Sequence, residues 1–166
     1  MPSWIMLEVV RIFVIVALIY LAYIDWRTFR LPDVITIPLI ALGLLFNYFS
    51  NFAFTNFVNA AQGGITGFLL LWFVNVCYRH FKQRNGIGMG DAKLLSALGA
   101  WLGLSALPSI LFIASVAGLV GGLIWLRLKK QPIHAAFPFG PFLAIAGIIE
   151  LLWPQALQTF LQNHLI

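Results

Sequence analysis

The sequence predicts an all-α membrane protein, a polytopic helical bundle of about six transmembrane helices. Three observations carry that expectation. First, the 166 residues are 61% hydrophobic and 9% charged, with a mean hydropathy of +0.95. An ordinary soluble domain carries about 25% charged residues, so this chain cannot cover a water-facing surface. Second, the apolar residues gather in six stretches of 14 to 21 residues. Third, the cations fall into three clusters separated by uncharged segments, the pattern that sets orientation in a bilayer. A soluble enzyme and a large extramembrane domain are excluded. A nucleic-acid module is excluded as well, because the cations of a chain with pI near 9.8 are accounted for by topology.

The stretches run Trp4–Ile24, Val34–Phe49, Ala60–Tyr78, Asp91–Leu104, Leu107–Leu126 and Phe139–Trp153. The first is preceded by no basic cluster and is read as a retained span rather than a cleaved signal. The second and fourth are shorter than the about 20 residues of a full span. Either could begin inside a water-accessible cavity. The basic clusters are Arg27 with Arg30; Arg79, Lys82, Arg84 and Lys93; and Arg127, Lys129 and Lys130. By the positive-inside rule they face the cytoplasm, which puts both termini outside. Trp4, Trp26, Trp125 and Trp153 end spans, where an indole suits the headgroup layer. Gly63/Gly67, Gly99/Gly103 and Gly118/Gly122 are spaced for close helix packing. The whole chain, 1–166, reads as one transmembrane domain. The lone Cys77 excludes an internal disulfide, and no metal or cofactor is expected.

Five acidic residues are present, and each needs a reason to lie in or beside a span. Helix parity brings Asp25, Asp33 and Asp91 to one membrane face. Each has a plain structural reading. Asp25 can pair with Arg27 or Arg30, Asp33 can cap a helix after Pro32, and Asp91 can cap one after the glycine-rich Gly86-Ile87-Gly88-Met89-Gly90. Glu150 can snorkel to the outer interface. The functional reading joins Asp25 and Asp91 as a pair that shares a proton, one carboxyl activating water and the other protonating a carbonyl. Gly88 and Gly90 form the loop that presents Asp91. Pro138, Phe139, Gly140 and Pro141, inside Phe137–Phe142, break helical hydrogen bonding where the last span begins. They read either as a kinked entrance or as exposed backbone that pairs with an extended substrate.

Three motifs in order then make the chain recognisable. Ile24-Asp25-Trp26-Arg27-Thr28 with Leu31-Pro32-Asp33-Val34-Ile35-Thr36-Ile37-Pro38, Gly88-Met89-Gly90-Asp91-Ala92-Lys93-Leu94-Leu95, and Phe137-Pro138-Phe139-Gly140-Pro141-Phe142 together resemble the bacterial type IV prepilin peptidases, GxGD-class membrane aspartyl proteases. The resemblance covers about Tyr20 to Trp153. It implies an endopeptidase that removes the short basic leader of prepilins or pseudopilins of type IV pilus or type II secretion systems. That cleavage would occur at the cytoplasmic face of the bacterial inner membrane, with Asp25 and Asp91 as the catalytic pair. Asp33 matches a family position without a catalytic role. Many members carry a further N-terminal region, often with zinc cysteines, associated with N-methylation. The chain opens directly on the first peptidase span, so methyl transfer is not expected of it. The alternative reading is a non-catalytic relative that holds pilins or aids assembly; a proton-coupled transporter fits less well, because the carboxylates gather at one face rather than along a path.

Overall fold

The computed structural model describes residues 3–50, 54–82, 88–129 and 138–154. Gly86, Ile87 and Phe137 of the motifs, Arg84 and Lys130, and the side chains of Trp4, Lys82 and Lys129 lie outside the described residues. The described chain forms α1 (Ser3–Thr28), α2 (Asp33–Phe49), α3 (Phe57–Lys82), α4 (Met89–Leu102), α5 (Leu107–Lys129) and α6 (Gly140–Leu152). A 3-10 turn, Leu104–Ala106, leads into α5. The six expected spans are therefore present as six helices, and no strand occurs among the described residues.

Long and short helices alternate. The apolar segments Ile5–Thr28, Phe57–His80 and Leu104–Trp125 are long enough to cross a bilayer. The intervening α2, α4 and α6 have 17, 14 and 13 residues. At 1.5 Å per residue, α4 is about 21 Å long, short of the about 30 Å hydrocarbon core. The sixth helix joins the second and fourth, the two expected to be short.

Polar contacts sort the helix ends into two groups. The Asn47 amide, near the end of α2, donates to the carbonyls of Ala100 and Trp101 at 2.9 and 3.0 Å. It also accepts from the Thr55 N–H at 3.3 Å. Asn59, in the first turn of α3, accepts from Leu104 N–H and donates to Ser105. Ser109 donates to Glu150 at 2.6 Å. The opposite end collects the helix ends near residues 25–33, 75–82, 88–91, 125–129 and 138–140. Trp26 meets Trp125 there with ring centroids 4.8 Å apart. Helix order thus alternates up and down, as the charge pattern required.

Helix α4 is the centre. From Asp91 to Trp101 every residue but Lys93 is buried. Helices α3 and α2 pack along one side of it, and α6, itself packed on α1 and α5, along another. Glycines permit the closest of these contacts. A Cβ on Gly63 would lie 2.5 Å from the carbonyl oxygen of Gly99, and one on Gly67 2.7 Å from that of Leu95. The Ser96 hydroxyl donates across the same seam to the Gly64 carbonyl at 2.8 Å. Gly103 ends α4 with φ +87°, where an L side chain is strained. The α5–α6 contact uses Gly118 and Gly121, against Phe139 and Phe142, rather than the expected Gly118/Gly122 spacing.

The outward faces of the long helices are apolar and exposed, as Val9, Phe13 and Val16 on α1 and Leu119 and Val120 on α5 illustrate. These surfaces suit lipid. Glu150 corrects the snorkelling expectation. It is 3% exposed, held by Ser109 inside the bundle, because α6 turns that position toward α5.

Gly63→Val should force α3 off α4 and lower the melting temperature in detergent, by about 1–3 kcal/mol of overpacking or more. Gly64→Ala, whose new methyl would have its nearest neighbours at 3.6 Å, should leave the melting temperature unchanged or slightly raised.

Candidate active site

Asp25 lies in the last turn of α1 and is 5% exposed. Its carboxylate accepts the backbone N–H of Gly140 at 3.1 Å. Gly140 is the first residue of α6, after Phe139 at the N-cap. The first N–H groups of a helix have no partner within it, and they form the positive end of its dipole. Asp25 therefore satisfies α6 from a different helix. The fit is close, since a Cβ on Gly140 would stand 2.6 Å from Asp25 Oδ2. The expected pairing of Asp25 with Arg27 or Arg30 is not what the geometry shows. Both arginines are exposed, and Arg27 lies over the Tyr23 ring at 5.0 Å.

Past Asp25 the chain turns sharply. Phe29 takes φ 54°, a left-handed conformation uncommon outside glycine. Its N–H donates back to the Asp25 carbonyl at 2.8 Å. The Thr28 hydroxyl donates to the Ile24 and Arg30 carbonyls. These bonds close α1 just beyond the carboxylate and let α2 begin at Asp33.

Asp91 occupies the first turn of α4 and is 8% exposed. Gly88 is the N-cap residue, with extended φ −65° and ψ 136° and no side-chain cap bond. Its carbonyl accepts the Asp91 N–H at 3.1 Å. The capping reading of Asp91 is thereby corrected: its side chain lies three positions inside the helix and is free of that task. Asp25 and Asp91 thus stand at the same end of the bundle, where parity placed them. Gly90 supplies close approach, since a Cβ there would lie 2.9 Å from Leu31 Cβ. Gly88 is exposed beside the pair.

Asp33 is also not a cap. Pro32 holds the N-cap position of α2, without a side-chain bond, and the exposed Asp33 carboxylate pairs with Lys93 at 2.6 Å. In the sequence Lys93 reads as one of the topological cations, and nothing in its spacing points to this partner. Pro138, Gly140 and Pro141 are buried and Phe139 is half-buried. The segment is thus the start of α6, packed under Asp25, and not an exposed backbone edge. Proline and glycine here free the Gly140 N–H for a partner outside the helix instead of unwinding it. On α3, Asn75 approaches Met89, and α3 continues seven residues further, about 10 Å. The carboxylates consequently sit below the tip of α3. Among the described residues no group of three or more His, Cys, Asp or Glu is placed to hold a metal ion.

A membrane-type helical bundle with two buried carboxylates at one end is the class that fold and site define. The sequence profile of the Type IV leader peptidase family matches residues 12–123, which include Asp25, Asp33, Gly88, Gly90, Asp91 and Lys93. The chain belongs to that family. A prepilin leader peptidase/N-methyltransferase of Dickeya chrysanthemi is 44% identical over 132 residues, covering 80% of this chain and 46% of the relative. Relatives of the same name from Pseudomonas aeruginosa and Aeromonas hydrophila are 42% identical over 146 residues and 40% over 149. They cover 87% and 89% of this chain, and 50% and 51% of the relatives. The chain spans about half the length of these curated relatives. No solved structure matches it.

Gly140→Ala should push the Asp25 carboxylate off its N–H donor. The expected result is a lower melting temperature in detergent, since a buried carboxylate and a helix-start N–H then lose their partner.

Proposed function

We propose that the chain is an aspartyl endopeptidase that removes the leader from prepilins or pseudopilins. The observation that supports this best is the shared position of Asp25 and Asp91. They are buried carboxyl groups from two different helices at one end of a lipid-embedded bundle. Of the two activities in the relatives' name, this pair bears on peptide hydrolysis, and that is the one carried to this chain.

In this reading the pair holds one proton, because two neighbouring carboxylates in a low-dielectric site do not readily ionise together. The ionised member takes a proton from a water molecule, whose oxygen attacks the scissile carbonyl carbon. The protonated member gives its proton to the carbonyl oxygen, and a tetrahedral diol results. Collapse breaks the C–N bond as the nitrogen takes a proton, leaving a new carboxyl and a new amine with one water consumed. The Gly140 N–H holds Asp25 in register throughout. Pro138, Phe139 and Pro141 serve by fixing the start of α6 beneath it. Gly88 leaves the approach to Asp91 uncrowded, and Gly90 lets Leu31 pack against the first turn of α4.

The orientation follows from the cations. Arg27, Arg30, Arg79 and Arg127 are exposed at or near the carboxylate end, so the positive-inside rule turns that end to the cytoplasm of a bacterial inner membrane. A substrate with a basic leader and an apolar helix would then meet the pair at the membrane boundary.

The test is cleavage of a prepilin by the purified protein in detergent, beside Asp25→Asn and Asp91→Asn. Each substitution should lower the rate by about 10²- to 10⁴-fold, the usual share of a general acid or base, with the melting temperature kept. Wild-type rates in both folded variants would overturn the reading. The wild-type rate should also fall at both pH extremes, in a bell, because one carboxyl must be ionised while the other keeps its proton.

A further inference from the structure

The ion pair between Asp33 and Lys93 is absorbed by neither the fold nor the hydrolytic step. Lys93 is the one residue of α4 between Asp91 and Trp101 that is not buried, and its ammonium lies 2.6 Å from Asp33 Oδ1. The two side chains are 26% and 56% exposed, so water screens the pair and it adds little to stability. Its position is more telling than its strength. Asp33 opens α2 directly after the loop that leaves Asp25. Lys93 stands two residues beyond Asp91, and on a helix that spacing turns the two side chains to different faces. In the same loop Leu31 packs on Gly90, the residue preceding Asp91. A short closed path therefore runs from Asp25 through the tight turn at Phe29 to Leu31 and Asp33, across to Lys93 and Gly90, and back to Asp91.

We propose that Asp33 and Lys93 are positioning residues for the peptidase reaction: their ion pair braces the α1–α2 loop against the first turn of α4 and so fixes the separation of the two catalytic carboxyl groups. The role rests on the peptidase reading above. The pair joins the helix starts at the site end, and on the α4 side it lies two residues, less than one helical turn, from Asp91. Asp25 and Asp91 come from separate layers of the bundle, α1 with α6 and α4 with α2 and α3, that otherwise meet along α4 and α6. Gly147 against Leu98 makes part of that α4–α6 seam, well away from the carboxyl groups. Near the pair itself, the brace and the Leu31–Gly90 contact hold the loop that leaves α1 against the first turns of α4. Neither Asp33 nor Lys93 needs to touch substrate. A weak pair can matter in this way because a shift of about 1 Å between reacting groups can cost about 100-fold in rate.

The experiment is a double-mutant cycle in the purified full chain: Asp33→Asn, Lys93→Met and the combination, with Lys93→Arg as the conservative variant. The readouts are kcat and KM for a prepilin, and the melting temperature. Each single change should lower kcat by about tenfold or more, with KM within about twofold and melting temperature unchanged. The combination should be no worse than the poorer single, because either change already opens the brace. Lys93→Arg, which keeps the charge and the reach, should stay within about threefold of wild type. Should Lys93→Met fail to fold, Asp33→Asn, nearly isosteric and exposed, carries the test against Lys93→Arg. Singles with wild-type kcat, losses confined to KM, or a combination equal to the product of the singles would each overturn the brace while the peptidase reading stands. A folded wild type that cuts no prepilin removes that reading, and this role falls with it.

Discussion

Everything in this molecule depends on the burial of α4 by backbone-to-backbone contact. Lipid offers no hydrophobic gain for bringing apolar helices together, so association in a bilayer relies on close packing and on hydrogen bonds between helices. Gly63 and Gly67 bring α3 onto the carbonyls of Gly99 and Leu95, at distances a single methyl group would forbid. Ser96, in the middle of α4, donates to the Gly64 carbonyl of α3, and Asn47 donates to the carbonyls at the end of α4. A helix of 14 residues, too short to span a bilayer, is thereby held among longer neighbours. Its first turn is consequently a fixed platform, and Asp91 stands on it.

The second carboxylate is fixed by another device. Asp25 does not find a cation; it finds the unpaired N–H at the start of α6. A helix start and a buried carboxylate each carry an unmet hydrogen-bonding need, and bringing them together meets both. Proline at the next position cannot compete as a donor, and glycine leaves room for the oxygen. The two halves of the site thus follow one logic, in which backbone that would be a liability in lipid is used to hold a side chain.

The same economy appears at the far end. Asn47, Asn59, Ser105, Ser109 and Glu150 form a polar layer that closes the ends of α2, α4 and α6 and the starts of α3 and α5. The core is mostly Leu and Ala, with Trp101 anchored through its indole N–H to the Leu39 carbonyl. The two candidate carboxyl groups stand at one end, and the opposite end is concerned with shape.

The sequence by itself determined the fold class, the number of helices, their alternation and the family, because lipid imposes a length and a charge pattern that a one-dimensional reading can detect. It brought Asp25, Asp33 and Asp91 to one face by parity alone. It did not determine what each polar group binds. Asp25 looked like a partner for Arg27, Asp33 and Asp91 like caps, and Glu150 like an interfacial side chain. Tertiary structure gave Asp25 the Gly140 N–H, Asp33 the Lys93 ammonium and Glu150 the Ser109 hydroxyl. These partners lie 115, 60 and 41 positions away along the chain. Local sequence offers nearer candidates for every one of them. Only the packing of six helices decides which helix face turns inward, and hence which distant group a buried charge will meet.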